Sequence, residues 1–170
     1  VADPTHVAEV IAGVVYPRAR APVGHARFTS DLAVVLAAEL GHRVGRSGGW
    51  VFVHEPELRL AEDVCVPDLA AWRVERFPVR GQSRAAIGVV PDWVCEVVTP
   101  SSARRQRALK LPRYAAAQVG AAWIVDPSER LLEVYRRASP LWSLVAVHGH
   151  SKPVRCAPFE EVELPLAKLW

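Results

Sequence analysis

Trp93-Val94-Cys95-Glu96-Val97-Val98 is the stretch that decides how this chain folds. It is apolar and rich in valine except for one glutamate, a pattern that predicts a buried, central strand rather than a helix or a surface strand. Thr99-Pro100-Ser101-Ser102 stops it. Upstream, the run Val64 to Trp72 also reads as a strand and carries Pro67-Asp68-Leu69. Each run places an acidic side chain where burial makes a carboxylate costly unless something compensates it. A shared divalent cation is the usual way for two such groups to stay ionised together. Downstream, Lys110 and a cluster of arginines supply positive charge. Acid, acid and lysine on neighbouring elements are the minimum apparatus for metal-assisted phosphodiester hydrolysis.

Working outward, Val7 to Tyr16 is a short apolar stretch broken by Gly13 and predicts a hairpin or an extended arm. Pro17 and Pro22 bracket a basic loop. From His25 to Leu40 the period changes: Phe28, Leu32, Val35, Leu36 and Leu40 fall on one helical face, with Gly41 as the stop. Gly45 to Gly49 reads as a turn, and Trp50 to Val53 and Leu58 to Leu60 as short strands. Arg73 to Val89 has no clear period and reads as a mobile loop. A helix is expected from about Leu111 to Val119, with Pro112 in its first turn and Gly120 at its end. Ala121 to Val125 is a strand, and Leu131 to Tyr135 with Trp142 to Val147 form a terminal antiparallel pair. The order predicts an α/β or α+β fold: a mixed β-sheet with helices packed on it.

At 170 residues the chain reads as one domain, 1–170, large enough to bury a core. No apolar run approaches the ~20 residues that cross a bilayer, so no membrane partner is expected. No basic segment followed by a long apolar one marks a secretory signal. Cys65, Cys95 and Cys156 match neither a zinc spacing nor a disulfide framework. Cys65 and Cys95, in strand-like runs, read as buried free thiols, which points to a reducing, cytoplasmic setting. Net charge is +3, but from Arg73 to Arg113 nine basic residues stand against three acids. This excess surrounds the suspected acidic site and suggests a polyanionic partner. Arg104, Arg105, Arg107 and Arg113 are the candidate nucleic-acid contacts, and DNA the expected polymer.

Two Pro-Asp pairs compete for one role, Pro67-Asp68 and Pro91-Asp92. On an extended strand Asp92 and Glu96 sit about 13 Å apart at ~3.3 Å per residue, too far to share a metal. Asp68, on another strand, can lie beside Glu96 across a gap of about 4.8 Å. With Asp68 and Glu96 as ligands, Mg²⁺ or Mn²⁺ would complete its shell with waters, a phosphate oxygen and a backbone carbonyl, for which Val97 is the natural candidate. Lys110 could reach the site from the first turn of the following helix and add electrostatic stabilisation. Glu9, a third acid in an apolar setting, and His25, at the start of the first helix, are candidates to complete the catalytic set from the opposite wall. No Gly-rich phosphate loop, Ser-His-Asp arrangement or paired histidine spacing is present.

Pro91-Asp92-Trp93-Val94-Cys95-Glu96-Val97-Val98-Thr99-Pro100-Ser101 resembles the "PDLVVEVLSPS" signature of the Uma-two family, a large bacterial family classed with restriction endonucleases. Lys110-Leu111-Pro112-Arg113-Tyr114-Ala115, Trp123-Ile124-Val125-Asp126-Pro127, Pro67-Asp68 and Ala8-Glu9-Val10-Ile11-Ala12-Gly13 resemble further parts of that pattern. The resemblance spans about residues 8 to 147. It implies membership of the PD-(D/E)XK nuclease superfamily and a restriction-endonuclease-like fold. It also implies Asp68 and Glu96 as metal ligands, with Lys110 as a lysine relocated from strand to helix. The chain departs from the pattern at Gln106, where the family often carries an acid four residues before the lysine. Cleavage of both strands of a duplex, together with an uncovered strand edge at the terminal pair, further suggests a homodimer. Two other readings stay open: a nuclease-fold protein that binds nucleic acid or a protein partner without cutting, and an unrelated phosphoesterase using the same metal chemistry.

Overall fold

The computed structural model describes residues 8–18, 21–41, 49–77, 86–149 and 152–170. A hairpin opens the described chain, β1 (Ala8–Ile11) and β2 (Val14–Pro17), turning at Ala12 and Gly13, both with positive φ. Helix α1 (Val23–Leu40) follows. Then come β3 (Trp50–His54), β4 (Glu57–Leu60), β5 (Asp63–Cys65), β6 (Leu69–Arg73), the short β7 (Ala86–Ile87) and β8 (Trp93–Val97). The next helical stretch is composite: α2 (Ala103–Arg105), a π-helical turn (Gln106–Lys110) and α3 (Leu111–Ala116). Strands β9 (Ala121–Asp126), β10 (Leu131–Ala138) and β11 (Leu141–Gly149) precede a C-terminal segment that ends in α4 (Leu166–Leu169).

These strands make two sheets, a five-stranded one in the order β2-β1-β5-β4-β7 and a six-stranded one in the order β11-β10-β9-β8-β6-β3. As its run of valines predicts, β8 lies inside the larger sheet, parallel to β9 and antiparallel to β6. The parallel step from β8 to β9 needs a crossover, which the composite helix supplies.

Alternation along β8 sorts its side chains between two cores. Trp93, Cys95 and Val97 face a core built with α1 and the C-terminal segment. Val94 and Val98 face a second core shared with α3 and the smaller sheet. Helix α1 buries Phe28, Leu32, Leu36 and Leu40 at a four-residue spacing, with Thr29 and Ala33 beside them. It stops at Gly41, where a Cβ would stand 2.4 Å from the Ala37 carbonyl oxygen, so only glycine fits there. In the first core Phe159 packs edge-on against Trp50, Trp93 and Trp123, with ring centroids 4.9, 5.0 and 5.4 Å away.

The mixed α+β fold expected from the sequence is the one observed, with local corrections. Val64 to Trp72 is two strands in different sheets: β5 belongs to the smaller sheet and β6 to the larger. The chain changes sheets at Val66-Pro67-Asp68, where proline has no N–H to continue a ladder. The composite helix begins at Ala103, so Lys110 lies within it rather than in its first turn. Arg73 to Val89 holds a turn and β7, while Arg80, Arg84 and most of the expected turn at Gly45 to Gly49 lie outside the described residues. The terminal antiparallel pair is longer than its apolar pattern, because charged residues such as Arg136 and Arg137 continue it. All three cysteines are free and buried, and burial pushes the Cys65 and Cys156 thiols up to about 12. Among the described residues no helix is long and apolar enough to cross a membrane.

Candidate active site

The crossing between sheets places two carboxylates together. Leu69 pairs with Cys95 across β6 and β8. One step further in this antiparallel register, Asp68 stands opposite Glu96. Alternation puts both on the face of Val94 and Val98, towards the composite helix. Both are buried, Asp68 2% and Glu96 1% exposed. Asp92 is engaged elsewhere: its Oδ2 accepts the Arg73 N–H at 2.8 Å and its Oδ1 pairs with Arg76.

Lys110 enters between the acids from the π-helical turn. Its Nζ lies 2.6 Å from Glu96 Oε1 and 2.7 Å from Glu9 Oε1, and it donates to the Val66 carbonyl at 2.9 Å. Glu9 Oε1 also accepts the Val66 N–H at 2.9 Å. The backbone groups that Val66 loses from the sheet ladders as the chain changes sheets are therefore met by Glu9 and Lys110. Tyr114, one helical turn beyond Lys110, donates its hydroxyl to Glu96 Oε1 at 2.5 Å. Two donors thus converge on one oxygen of Glu96, which leaves Oε2 for another ligand.

Asp68 is held from the other side. Its Oδ1 lies 2.6 Å from Arg18 Nη2 and 3.0 Å from His25 Nε2, and its Oδ2 accepts the Val97 N–H at 2.7 Å. Arg18 also donates to the Val66 carbonyl at 2.5 Å. In an extended strand a residue's N–H and C=O point to the same edge, so the Val97 carbonyl lies on the Asp68 edge of β8. These side chains share a cavity of about 390 Å³ whose other wall includes Thr99, Ser101, Ser102, Arg105 and Gln106.

Burial and charge pull these groups in opposite directions. Burial raises the Glu96 carboxyl and the neighbouring Asp68 charge adds to that; Lys110 and Tyr114 offset only part, leaving it at about 7. Burial would raise Asp68 too, but the His25 hydrogen bond and charge, then Arg18 and Lys110, hold it below its ordinary value. For Lys110, burial favours the neutral amine, yet Glu96 and Glu9 outweigh it and keep the ammonium above its ordinary range.

The donor set suits a small hard cation. Two carboxylates and a backbone carbonyl offer only oxygen, and Mg²⁺ takes one or two carboxylates while keeping several waters. Three buried carboxylates, Glu9, Asp68 and Glu96, face the cations Lys110 and Arg18. Among the described residues no three His, Cys, Asp or Glu side chains gather closely enough to hold a metal by themselves. A metal here would have to draw on Val97, water or substrate for the rest of its shell.

A family profile described as "Uma2: Putative restriction endonuclease" matches residues 2–167. The chain belongs to this family. A crystal structure titled as a "putative nuclease belonging to DUF820" from Anabaena variabilis is similar in fold, with a TM-score of 0.79 and 18% sequence identity. The match covers 99% of this chain and 92% of that one. No curated protein matches the chain.

The structure brings Asp68, Glu96 and Lys110 into one cluster with Glu9, His25 and the Val97 backbone, all of them candidates from the sequence. The arginines divide. Arg105 lines the cavity and Arg104 is exposed, whereas Arg107 pairs with Glu133 at 2.7 Å and Arg113 with Asp63 at 3.3 Å. Two residues that hold the carboxylates were given no role from the sequence: Arg18, which lines the cavity, and Tyr114, which donates to Glu96. For Tyr114 the signal was present, because Gln106, Lys110 and Tyr114 recur at the four-residue spacing that puts side chains on one helical face. Arg18 lay in a loop whose destination no periodicity gives.

Proposed function

We propose that this chain is a metal-dependent endonuclease that hydrolyses phosphodiester bonds of DNA with water. One observation carries the reading: Asp68 and Glu96 share a face at one register position, with Lys110 bonded between Glu96 and Glu9 in the same cavity. Asp68, Glu96 and the Val97 carbonyl would hold the cation, Mg²⁺ or Mn²⁺. When bound, such a cation lowers the pKa of a coordinated water and offsets charge on the phosphate. The chain's own residues prepare the site. Arg18 and His25 keep Asp68 ionised. Lys110 and Tyr114 hold Glu96 by its Oε1, and the Lys110 charge would offset negative charge that develops on the phosphate. Arg105, which lines the cavity, and the exposed Arg104 before it would meet the polymer backbone. The reading takes the chain as one domain, paired two-fold so that both strands of a duplex meet a site.

Nicking of supercoiled plasmid in Mg²⁺ tests it. Wild type should cut and stop on chelation, and Glu96→Gln should abolish cleavage. A wild type that leaves single- and double-stranded DNA intact in both Mg²⁺ and Mn²⁺ contradicts the reading.

One observation favours a second reading, a nuclease-fold protein that binds nucleic acid without cutting. The three hydrogens of the Lys110 ammonium already have Glu9, Glu96 and the Val66 carbonyl as partners. On this reading Lys110 only balances buried charge, and retarded but uncut DNA is the expected result.

A further inference from the structure

Arg18, which lines the cavity, bridges a buried carboxylate and an exposed one. Its Nη2 lies 2.6 Å from Asp68 Oδ1 and 2.9 Å from Glu55 Oε1, while Nη1 donates to the Val66 carbonyl at 2.5 Å. The Asp68 side chain is 3% accessible and that of Glu55 56%. The backbone fixes these two residues beside each other. The Glu55 N–H donates to the Asp68 carbonyl at 3.1 Å, and their neighbours His54 and Leu69 pair across β3 and β6. Lys110 differs: its partners Glu9, Glu96 and the Val66 carbonyl all lie inside the cluster.

A cation held by Asp68 has to find room among these contacts. Oδ1 already accepts from Arg18, and Oδ2 accepts the Val97 N–H. A metal taking Oδ1 meets the guanidinium directly. One taking Oδ2 stands across a single carboxylate from it, where like charges in a buried site still repel. Glu55 lets the guanidinium leave Asp68 without losing a carboxylate partner, and the exchange carries its charge out of buried surroundings, where charge is costly. We propose that Arg18 is a tethered counter-ion that competes with the divalent cation for Asp68: it pairs with the carboxylate in the metal-free chain and withdraws to Glu55 when the cation binds. Without a metal, Arg18 spares the fold an uncompensated buried carboxylate. This inference rests on the metal-dependent reading above.

Mn²⁺ titration calorimetry and Tm, both on the whole chain without nucleic acid, test it. Arg18→Met should bind Mn²⁺ about tenfold or more tighter than wild type, because the cation no longer has to break a charge-assisted hydrogen bond. Its metal-free Tm should fall below that of wild type, and saturating Mn²⁺ should raise it by more than it raises wild type. Arg18→Lys keeps a charge beside Asp68 without the planar fork, and its affinity should fall between the two. Glu55→Gln should weaken Mn²⁺ binding in the wild-type chain and change nothing in Arg18→Met, since its part is to receive the arginine. An Arg18→Met chain that binds Mn²⁺ as wild type does, or more weakly, overturns the proposal, because the arginine then supports Asp68 as a ligand. Glu55→Gln that weakens binding equally in both chains overturns the assignment to Glu55, because its charge then acts on the metal directly. A chain that takes up no Mn²⁺ with or without Arg18 overturns the metal-dependent reading, and this inference with it.

Discussion

At the scale of single residues, Glu96 is the group whose behaviour most exposes the site. Its carboxyl stands at about 7, above an ordinary 4.5, because burial and Asp68 outweigh Lys110 and Tyr114. The folded protein then holds a proton that the unfolded chain releases, so stability falls as pH rises. The contribution is complete below pH 4.5 and lost by about pH 7. Asp68 has the opposite sign, since its carboxyl is lowered from 3.8 and its contribution is lost as pH falls below that value. Metal-free wild type should therefore lose stability between pH 4.5 and 7 relative to Glu96→Gln, and denaturation midpoints across that window check it. Tyr114→Phe removes one of two donors to Glu96 Oε1. It should cost about 1.5–3 kcal/mol of stability and weaken Mn²⁺ binding by about 10–100-fold through loss of ligand orientation. Unchanged calorimetry in that variant would show that the hydroxyl positions nothing.

Among the elements, the crossing from β5 to β6 and the composite helix form the site together. Lys110 and Glu9 satisfy Val66 as the chain changes sheets while also facing Glu96. Lys110→Met leaves two buried carboxylates without their cation. It should destabilise by about 3–5 kcal/mol, with Glu9→Gln in the same chain recovering part of the loss; urea unfolding measures both. If Lys110→Met is neutral, the charge balance described for this cluster is wrong. Legibility differed element by element. Strand β8 was plain because an unbroken apolar run has few alternatives, and α1 because its apolar residues repeat with helical period. The break at Pro67 was not, because two short apolar strands in sequence look like one long strand. The onset of the composite helix was obscured because Ala103 to Arg107 is polar and basic, and its burial begins only at Gln106. Asp68 with Glu96 was readable from acid placed in apolar sequence, whereas Arg18 depends on where a proline-bracketed loop lands. Phe159 lies in a C-terminal segment with no clear period, yet it joins three tryptophans in the core. Its fold role comes from tertiary packing alone.

For the whole molecule, charge and edges set the expected partners. If Arg104 and Arg105 contact phosphates, DNA affinity should fall with salt at a log-log slope of about 0.9 per phosphate neutralised. Alanine at both should flatten that slope more than alanine at Arg107 and Arg113, which already face Glu133 and Asp63. Equal slopes in the two double variants would show that the basic segment is only a solvated face. The nine residues of β11 form one edge of the larger sheet and carry no Asp, Glu, Lys or Arg. Leu141, Leu144, Val145 and Val147 on it are exposed. An unguarded apolar edge of this kind invites pairing, and an antiparallel β11–β11 contact would close a two-fold dimer. Light scattering should give twice the chain mass, and Val145→Lys should return it to one; a wild-type monomer at micromolar concentration contradicts the dimer. Beneath these expectations lies one claim, that the crossing between the sheets builds a site for a divalent cation between Asp68 and Glu96. Titration calorimetry with Mn²⁺ tests it without knowledge of the substrate. Wild type should take up Mn²⁺ at a saturable site and Asp68→Asn should not; a wild type that gives no heat of binding, or a variant that binds as wild type does, would contradict it.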